Sequence, residues 1–184
     1  MSEQPRATNA QKNWYTRANA LTALRLAIAP ALAAAIVTGH APLATGLFFA
    51  AVATDLADGP VARRFGESSP LGGLLDHGVD ATLCVLGLAA HASLGIVPWV
   101  LPPLVAIAFA QYVLDSKTLA GRPLRTSALG RWNGIAYFVA VAVPIVRDTL
   151  GWSWPGASLV WWLAAGLVAT TLVSIGDRLV ALRG

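Results

Sequence analysis

Charged side chains are scarce in this chain. Asp, Glu, Lys and Arg supply 12% of its 184 residues, about half the share usual in soluble domains. Cysteine is almost missing: the single Cys84 lies inside an apolar run, which excludes a disulfide scaffold. Disorder is excluded by the opposite excess, because 56% of the residues are hydrophobic. The 17 glycines and 11 prolines follow no G-X-Y period, so a collagen-like rod is excluded too. No internal repeat or low-complexity tract is present. The formal net charge of +4 does not indicate a nucleic-acid partner, since apolar runs separate the cations and no recognition motif occurs. There is no Ser-His-Asp order and no ladder of paired histidines to suggest a hydrolase or a haem site.

What is present is a series of long apolar runs, with a mean hydropathy of +0.62. A helix crosses a bilayer with about 20 mostly apolar residues. Six segments meet that requirement: 20–38, 43–63, 71–92, 96–116, 128–147 and 157–178. The predicted fold is all-α, a polytopic membrane protein of six transmembrane helices forming one domain over 1–184. Residues 1–16 are polar and lack a signal-peptide core, so they read as a short juxtamembrane helix at the interface. Pro98, Pro102 and Pro103 crowd the start of the fourth span.

Cation placement orients the chain. Arg6, Lys12 and Arg17 precede span one, and Arg63 and Arg64 close span two. Lys117, Arg122, Arg125 and Arg131 surround the connection after span four, and Arg178 and Arg183 follow span six. The opposite face has only Arg147, and Arg25 lies inside span one. The positive-inside rule then puts both termini in the cytoplasm. Trp99, Trp152 and Trp154 fall at the other interface, as an aromatic belt requires.

Four of the nine acidic residues sit inside spans two and three: Asp55, Asp58, Asp76 and Asp80. Each ionised aspartate in a bilayer helix costs at least about 2.5 kcal/mol on insertion scales. Their spacing suggests why they are there. Asp55 and Asp58 share a helix face as i, i+3, and Gly59 and Ala62 extend it. Gly72, Asp76 and Asp80 share a face of the next helix at i, i+4, i+8. Small residues beside the acids leave room for a ligand. An antiparallel pairing of the two spans sets Asp58 level with Asp76 and Asp55 level with Asp80, about one turn apart and in the cytoplasmic half of the membrane. Four carboxylates that close cannot all stay ionised unaided, and two divalent cations would neutralise them. All-oxygen ligation favours Mg²⁺ or Mn²⁺ over zinc, and a two-ion clamp suits phosphoryl displacement. Arg63 beyond this site has two readings, a planar fork for a phosphate or diphosphate and a topological anchor.

The run Asp55-Leu-Ala-Asp58-Gly59-Pro-Val-Ala62-Arg63, continued by Gly72, Asp76 and Asp80, resembles the CDP-alcohol phosphatidyltransferase signature D-x2-D-G-x2-A-R-x8-G-x3-D-x3-D at all eight fixed positions. A weaker likeness is Asn19-Ala-Leu21-Thr22-Ala-Leu-Arg25, similar to a segment that many members carry at the start of span one. The resemblance implies transfer of a phosphatidyl group from a CDP-linked lipid to an alcohol, with release of CMP. It implies that Asp55, Asp58, Asp76 and Asp80 hold two Mg²⁺ or Mn²⁺ ions and that Asp80 is also the general base on the acceptor hydroxyl. Asp58, Gly59, Ala62, Arg63 and Gly72 would form the CDP site. It also implies a homodimer among membrane lipids, in a bacterial cytoplasmic membrane, with the site facing the cytoplasm.

The acceptor is less legible. A phosphorylated alcohol needs cations at the mouth, and Lys117, Arg122, Arg125 and Arg131 are the candidates. Arg131 leads because it follows Gly130, as a basic residue does in many members that use phosphorylated acceptors. Compact bacterial members often use glycerol 3-phosphate, which makes it the expected acceptor. They commonly show D-P-x-A-D-K around the last two aspartates, whereas this chain has Asp76-His77-Gly78-Val79-Asp80-Ala81. That element looks more like the choline and ethanolamine phosphotransferases, which move a head group from a CDP-alcohol to diacylglycerol. An inositol-phosphate acceptor is a further alternative. His77 reads as acceptor contact, partner of an aspartate or interfacial filler. From a different class, a small cation transporter would also use intramembrane carboxylates.

Overall fold

With no water in a bilayer core, each backbone N–H must bond within its own segment, so apolar runs of this length fold as helices. A computed structural model describes residues 17–65, 70–114 and 128–181. They form α1 (Arg17–Val37), α2 (Ala41–Phe65), α3 (Pro70–Ser93), α4 (Leu101–Leu114), α5 (Ala128–Thr149) and α6 (Ala157–Ala181). No strand occurs among the described residues. The juxtamembrane segment 1–16 lies outside them.

Five of the helices are long and apolar enough to cross a membrane. The exception is α4, with 14 residues. At 1.5 Å per residue these 14 residues cover about 21 Å, and the residues after Leu114 lie outside the described ones. The expected span began at residue 96, but the helix starts at Leu101, after a turn in which the Leu101 N–H donates to the Pro98 carbonyl at 3.0 Å. Pro102 and Pro103 then occupy the first turn, where a missing N–H costs little.

The ends of α1, α3 and α5 share one device. Gly39, Gly95 and Gly151 follow them with φ of 73°, 73° and 64°. In each case the next residue's N–H reaches back five residues, His40 to Ala35, Ile96 to His91 and Trp152 to Arg147. These are glycine-stopped Schellman ends, which occupy carbonyls that a helix terminus otherwise leaves open. They lie at the end of the bundle where Trp99, Trp152 and Trp154 are exposed.

The core is built on small residues. Ala29, Ala44 and Ala51 are fully buried and allow close approach of α1 and α2. Leu32, Phe48, Leu83, Leu88, Val105 and Val141 fill the space around them. Two pairs of buried polar groups bond between helices: Tyr137 with the Thr171 hydroxyl at 2.8 Å, and His91 Nε2 donating to the Val141 carbonyl at 3.0 Å. α3 and α5 approach closely at Gly87, where a Cβ would stand 2.9 Å from Val141 Cγ1. Gly87→Leu is expected to lower stability by about 1–3 kcal/mol through overpacking. Thermal unfolding of the purified variant checks this.

Candidate active site

The buried face of α1 runs through Arg25, Ile28, Ala29, Leu32, Ala35 and Ile36, at helical spacing. Arg25 is its only charged member, and its side chain is 1% exposed. A buried guanidinium requires partners, and α2 and α3 supply four. Arg25 Nη2 donates to Asp58 Oδ2 at 2.6 Å. Nη1 donates to Asp80 Oδ1 at 2.6 Å and to Asp76 Oδ1 at 2.8 Å, and it pairs with Asp55 Oδ1 at 3.0 Å. The four aspartates therefore point inward to one place, two from each helix of the α2–α3 hairpin.

One guanidinium against four carboxylates leaves three formal negative charges over. Two groups of side chains in the cluster could each hold a cation: Asp55, Asp58 and Asp76, and Asp76, His77 and Asp80, with ligand atoms within 4.8 Å of one another in each group. Asp76 belongs to both, the position a bridging carboxylate would take. The donors are hard oxygens, apart from the His77 nitrogen, and suit Mg²⁺ or Mn²⁺. The side chains of Asp58 and Asp80 are 13% and 14% exposed, against 35% for Asp55, so the cluster opens on the Asp55 side.

His77 connects this cluster to a cavity of about 300 Å³. Its ring meets Tyr112 edge-on at 5.3 Å. Tyr112 in turn lies under the Arg178 guanidinium, 5.6 Å from the ring centroid, a cation–π geometry. Arg131, on the first turn of α5, lines the same cavity with Arg178, Gln111 and Ser174. Two guanidinium groups thus flank a space next to the carboxylates.

Arg131 is the only one of the four expected acceptor cations among the described residues; Lys117, Arg122 and Arg125 lie outside them. Gly59 and Gly72 sit on α2 and α3 beside the aspartates. Ala62 and Arg63 lie on the last turns of α2, where only the backbone is described. Two further arginines join the site, neither with a role assigned to it from the sequence. Arg25 looked like an exception to the topology rule, yet the four carboxylates needed a counter-charge and Arg25 shares a face with Ala29, Leu32 and Ile36. Arg178 looked like an anchor past the membrane, but α6 continues to Ala181 and carries it into the cavity wall.

A family model described as CDP-alcohol phosphatidyltransferase matches residues 15–175. The chain belongs to the CDP-alcohol phosphatidyltransferase family. It is 32% identical over 140 residues to a CDP-diacylglycerol–glycerol-3-phosphate 3-phosphatidyltransferase from Cereibacter sphaeroides, covering 71% of this chain and 63% of that protein. It is 36% identical over 90 residues to a putative cardiolipin synthase from Mycobacterium tuberculosis, covering 48% of this chain and 43% of the relative. A 39-residue stretch is 54% identical to choline/ethanolaminephosphotransferase 2 of Arabidopsis thaliana, covering 21% of this chain and 10% of that protein. The matches thus span less than two thirds of these relatives' lengths. No solved structure matches significantly. Within this CDP-alcohol phosphatidyltransferase chain, the eight signature positions all fall on the α2–α3 hairpin.

Proposed function

We propose that the protein transfers the phosphatidyl group of CDP-diacylglycerol to a small phosphorylated alcohol, glycerol 3-phosphate first among them, and releases CMP. The observation that carries this reading is the convergence of Asp55, Asp58, Asp76 and Asp80 beside a cavity flanked by Arg131 and Arg178. The four aspartates would hold two Mg²⁺ or Mn²⁺ ions. Bound there, the ions supply charge neutralisation for the diphosphate. Gly59, Ala62 and Gly72 leave room for the nucleotide, and Arg63 contacts its phosphates. Arg131 and Arg178 hold the acceptor's phosphate and aim its hydroxyl at the carboxylates. Asp80 takes the hydroxyl proton as the oxygen bonds to the phosphorus that carries diacylglycerol. The phosphoanhydride bond opposite breaks, and CMP leaves with its electron pair. The reading includes a homodimer in a bacterial cytoplasmic membrane, with the cavity open to the cytoplasm.

The relative named for glycerol 3-phosphate and the two arginines at the cavity both favour a phosphorylated acceptor. The Asp-His-Gly element and the plant relative favour the reversed transfer, from CDP-choline or CDP-ethanolamine to diacylglycerol. A panel separates them. Purified protein with Mg²⁺ receives CDP-diacylglycerol and glycerol 3-phosphate, inositol 1-phosphate, inositol, serine or ethanolamine, and parallel tubes receive CDP-choline or CDP-ethanolamine with diacylglycerol. Phosphatidylglycerol phosphate, identified by mass, is the expected product. Ion flux through proteoliposomes without CMP release would instead support the transport reading.

Arg131→Ala is expected to raise the KM for the phosphorylated acceptor at least about ten-fold, since a charge-assisted hydrogen bond contributes about 1.5–3 kcal/mol. The KM for CDP-diacylglycerol should change far less. Steady-state kinetics with each substrate varied in turn decides this, and an unchanged acceptor KM moves recognition elsewhere.

A further inference from the structure

The cage of carboxylates already contains a cation from the chain itself. Arg25 comes from α1, a helix that contributes no carboxylate to the cluster, and it reaches both α2 and α3. It touches every aspartate in both metal-capable groups. Its fit is uneven. Nη1 carries two protons but faces three carboxylate oxygens at 2.6–3.0 Å. Nε carries a single proton and is buried without a hydrogen-bond partner among the described residues. The guanidinium is thus over-subscribed on one side, unused on another, and neutralises only one of four charges.

Such an arrangement holds acids together without saturating them. With no cation between them, four carboxylates at these separations would repel, and α2 and α3 would splay. With Arg25 present, the oxygens that a divalent ion needs are already engaged by another positive group. A dication entering the cluster must take lone pairs from Arg25 and also meets its charge at close range.

We propose that Arg25 is a positioning residue that acts as the resident cation of this site. It holds the four aspartates in register before any metal arrives, and divalent ions bind in competition with it. The inference rests on the two-ion reading above and adds a cost to the ions' binding. Arg25 would then keep metal affinity modest while making the metal-free hairpin stable.

The test needs no turnover. Mn²⁺ affinity is read from the free-ion EPR signal, and thermal unfolding is followed with and without Mn²⁺, for purified wild type, Arg25→Gln and Arg25→Lys. Arg25→Gln should bind Mn²⁺ at least ten-fold more tightly, unfold at a lower temperature without metal, and regain most of that loss when Mn²⁺ is added. Arg25→Lys keeps the charge but has no fork to span both helices, so it should bind Mn²⁺ a few-fold more tightly than wild type. A residue with only a packing role would lower stability without tightening Mn²⁺ binding, and that result overturns the proposal. If Arg25→Gln cannot be purified even in Mn²⁺, Arg25→Lys decides, and an unchanged or weaker Mn²⁺ affinity there overturns it as well. Wild type that binds no Mn²⁺ at millimolar concentration overturns both this inference and the two-ion reading. Normal wild-type binding with unaltered variants overturns this inference alone.

Discussion

Asp80→Asn is expected to reduce CMP release by a factor of about 10²–10⁴, the usual contribution of a positioned general base. Asparagine keeps the volume and one oxygen toward Arg25, so the hairpin should persist and folded protein should remain in the membrane. Asp80 is among the less exposed of the four carboxylates, lies 2.6 Å from Arg25, and groups with His77, which lines the cavity proposed for the acceptor. A proton leaving an acceptor hydroxyl there would meet Asp80 or Asp76 before Asp55 or Asp58. Measuring CMP release together with the thermal unfolding midpoint separates lost chemistry from lost structure. Full activity in the folded variant would remove Asp80 from the role of base.

Chelation is expected to have a comparably large effect. EDTA should stop turnover, and added Mg²⁺ or Mn²⁺ should restore it. Electrostatics gives the reason. The cluster keeps three surplus negative charges after Arg25 is counted, and the CDP diphosphate is itself anionic. Two unit charges about 5 Å apart repel by about 3 kcal/mol at an effective dielectric of 20. Several such pairs would add up to a large barrier to placing the diphosphate beside the aspartates. The assay follows CMP release through EDTA addition and metal restoration in one sample. Undiminished turnover in EDTA would leave the aspartates without their proposed purpose.

Much of this was legible in the sequence because membrane insertion makes polar residues expensive. An aspartate in a bilayer helix announces itself, and the i, i+3 and i, i+4 spacings of Asp55, Asp58, Asp76 and Asp80 already put the four on facing sides of a hairpin. Five of the six helices begin and end within three residues of the predicted spans. The fourth starts five residues late because the turn at Pro98 replaces the first helical turn. Single residues whose partners are far along the chain were harder to read. Arg25 is 33 residues from Asp58 and 55 from Asp80, and only the packing of α1 between the hairpin's helices brings them together. Arg178 and Tyr112 similarly meet across α6 and α4. Cation counting classed both arginines by topology, since that rule sees depth and not tertiary contact.

The most direct measurement is a count of bound Mn²⁺ per chain by EPR in purified protein, wild type beside Asp76→Asn. Two ions per chain with spin–spin coupling, reduced to one or none when the shared Asp76 carboxylate is removed, is the predicted result. Wild type that binds no Mn²⁺, or the same two ions held unchanged by Asp76→Asn, would contradict it.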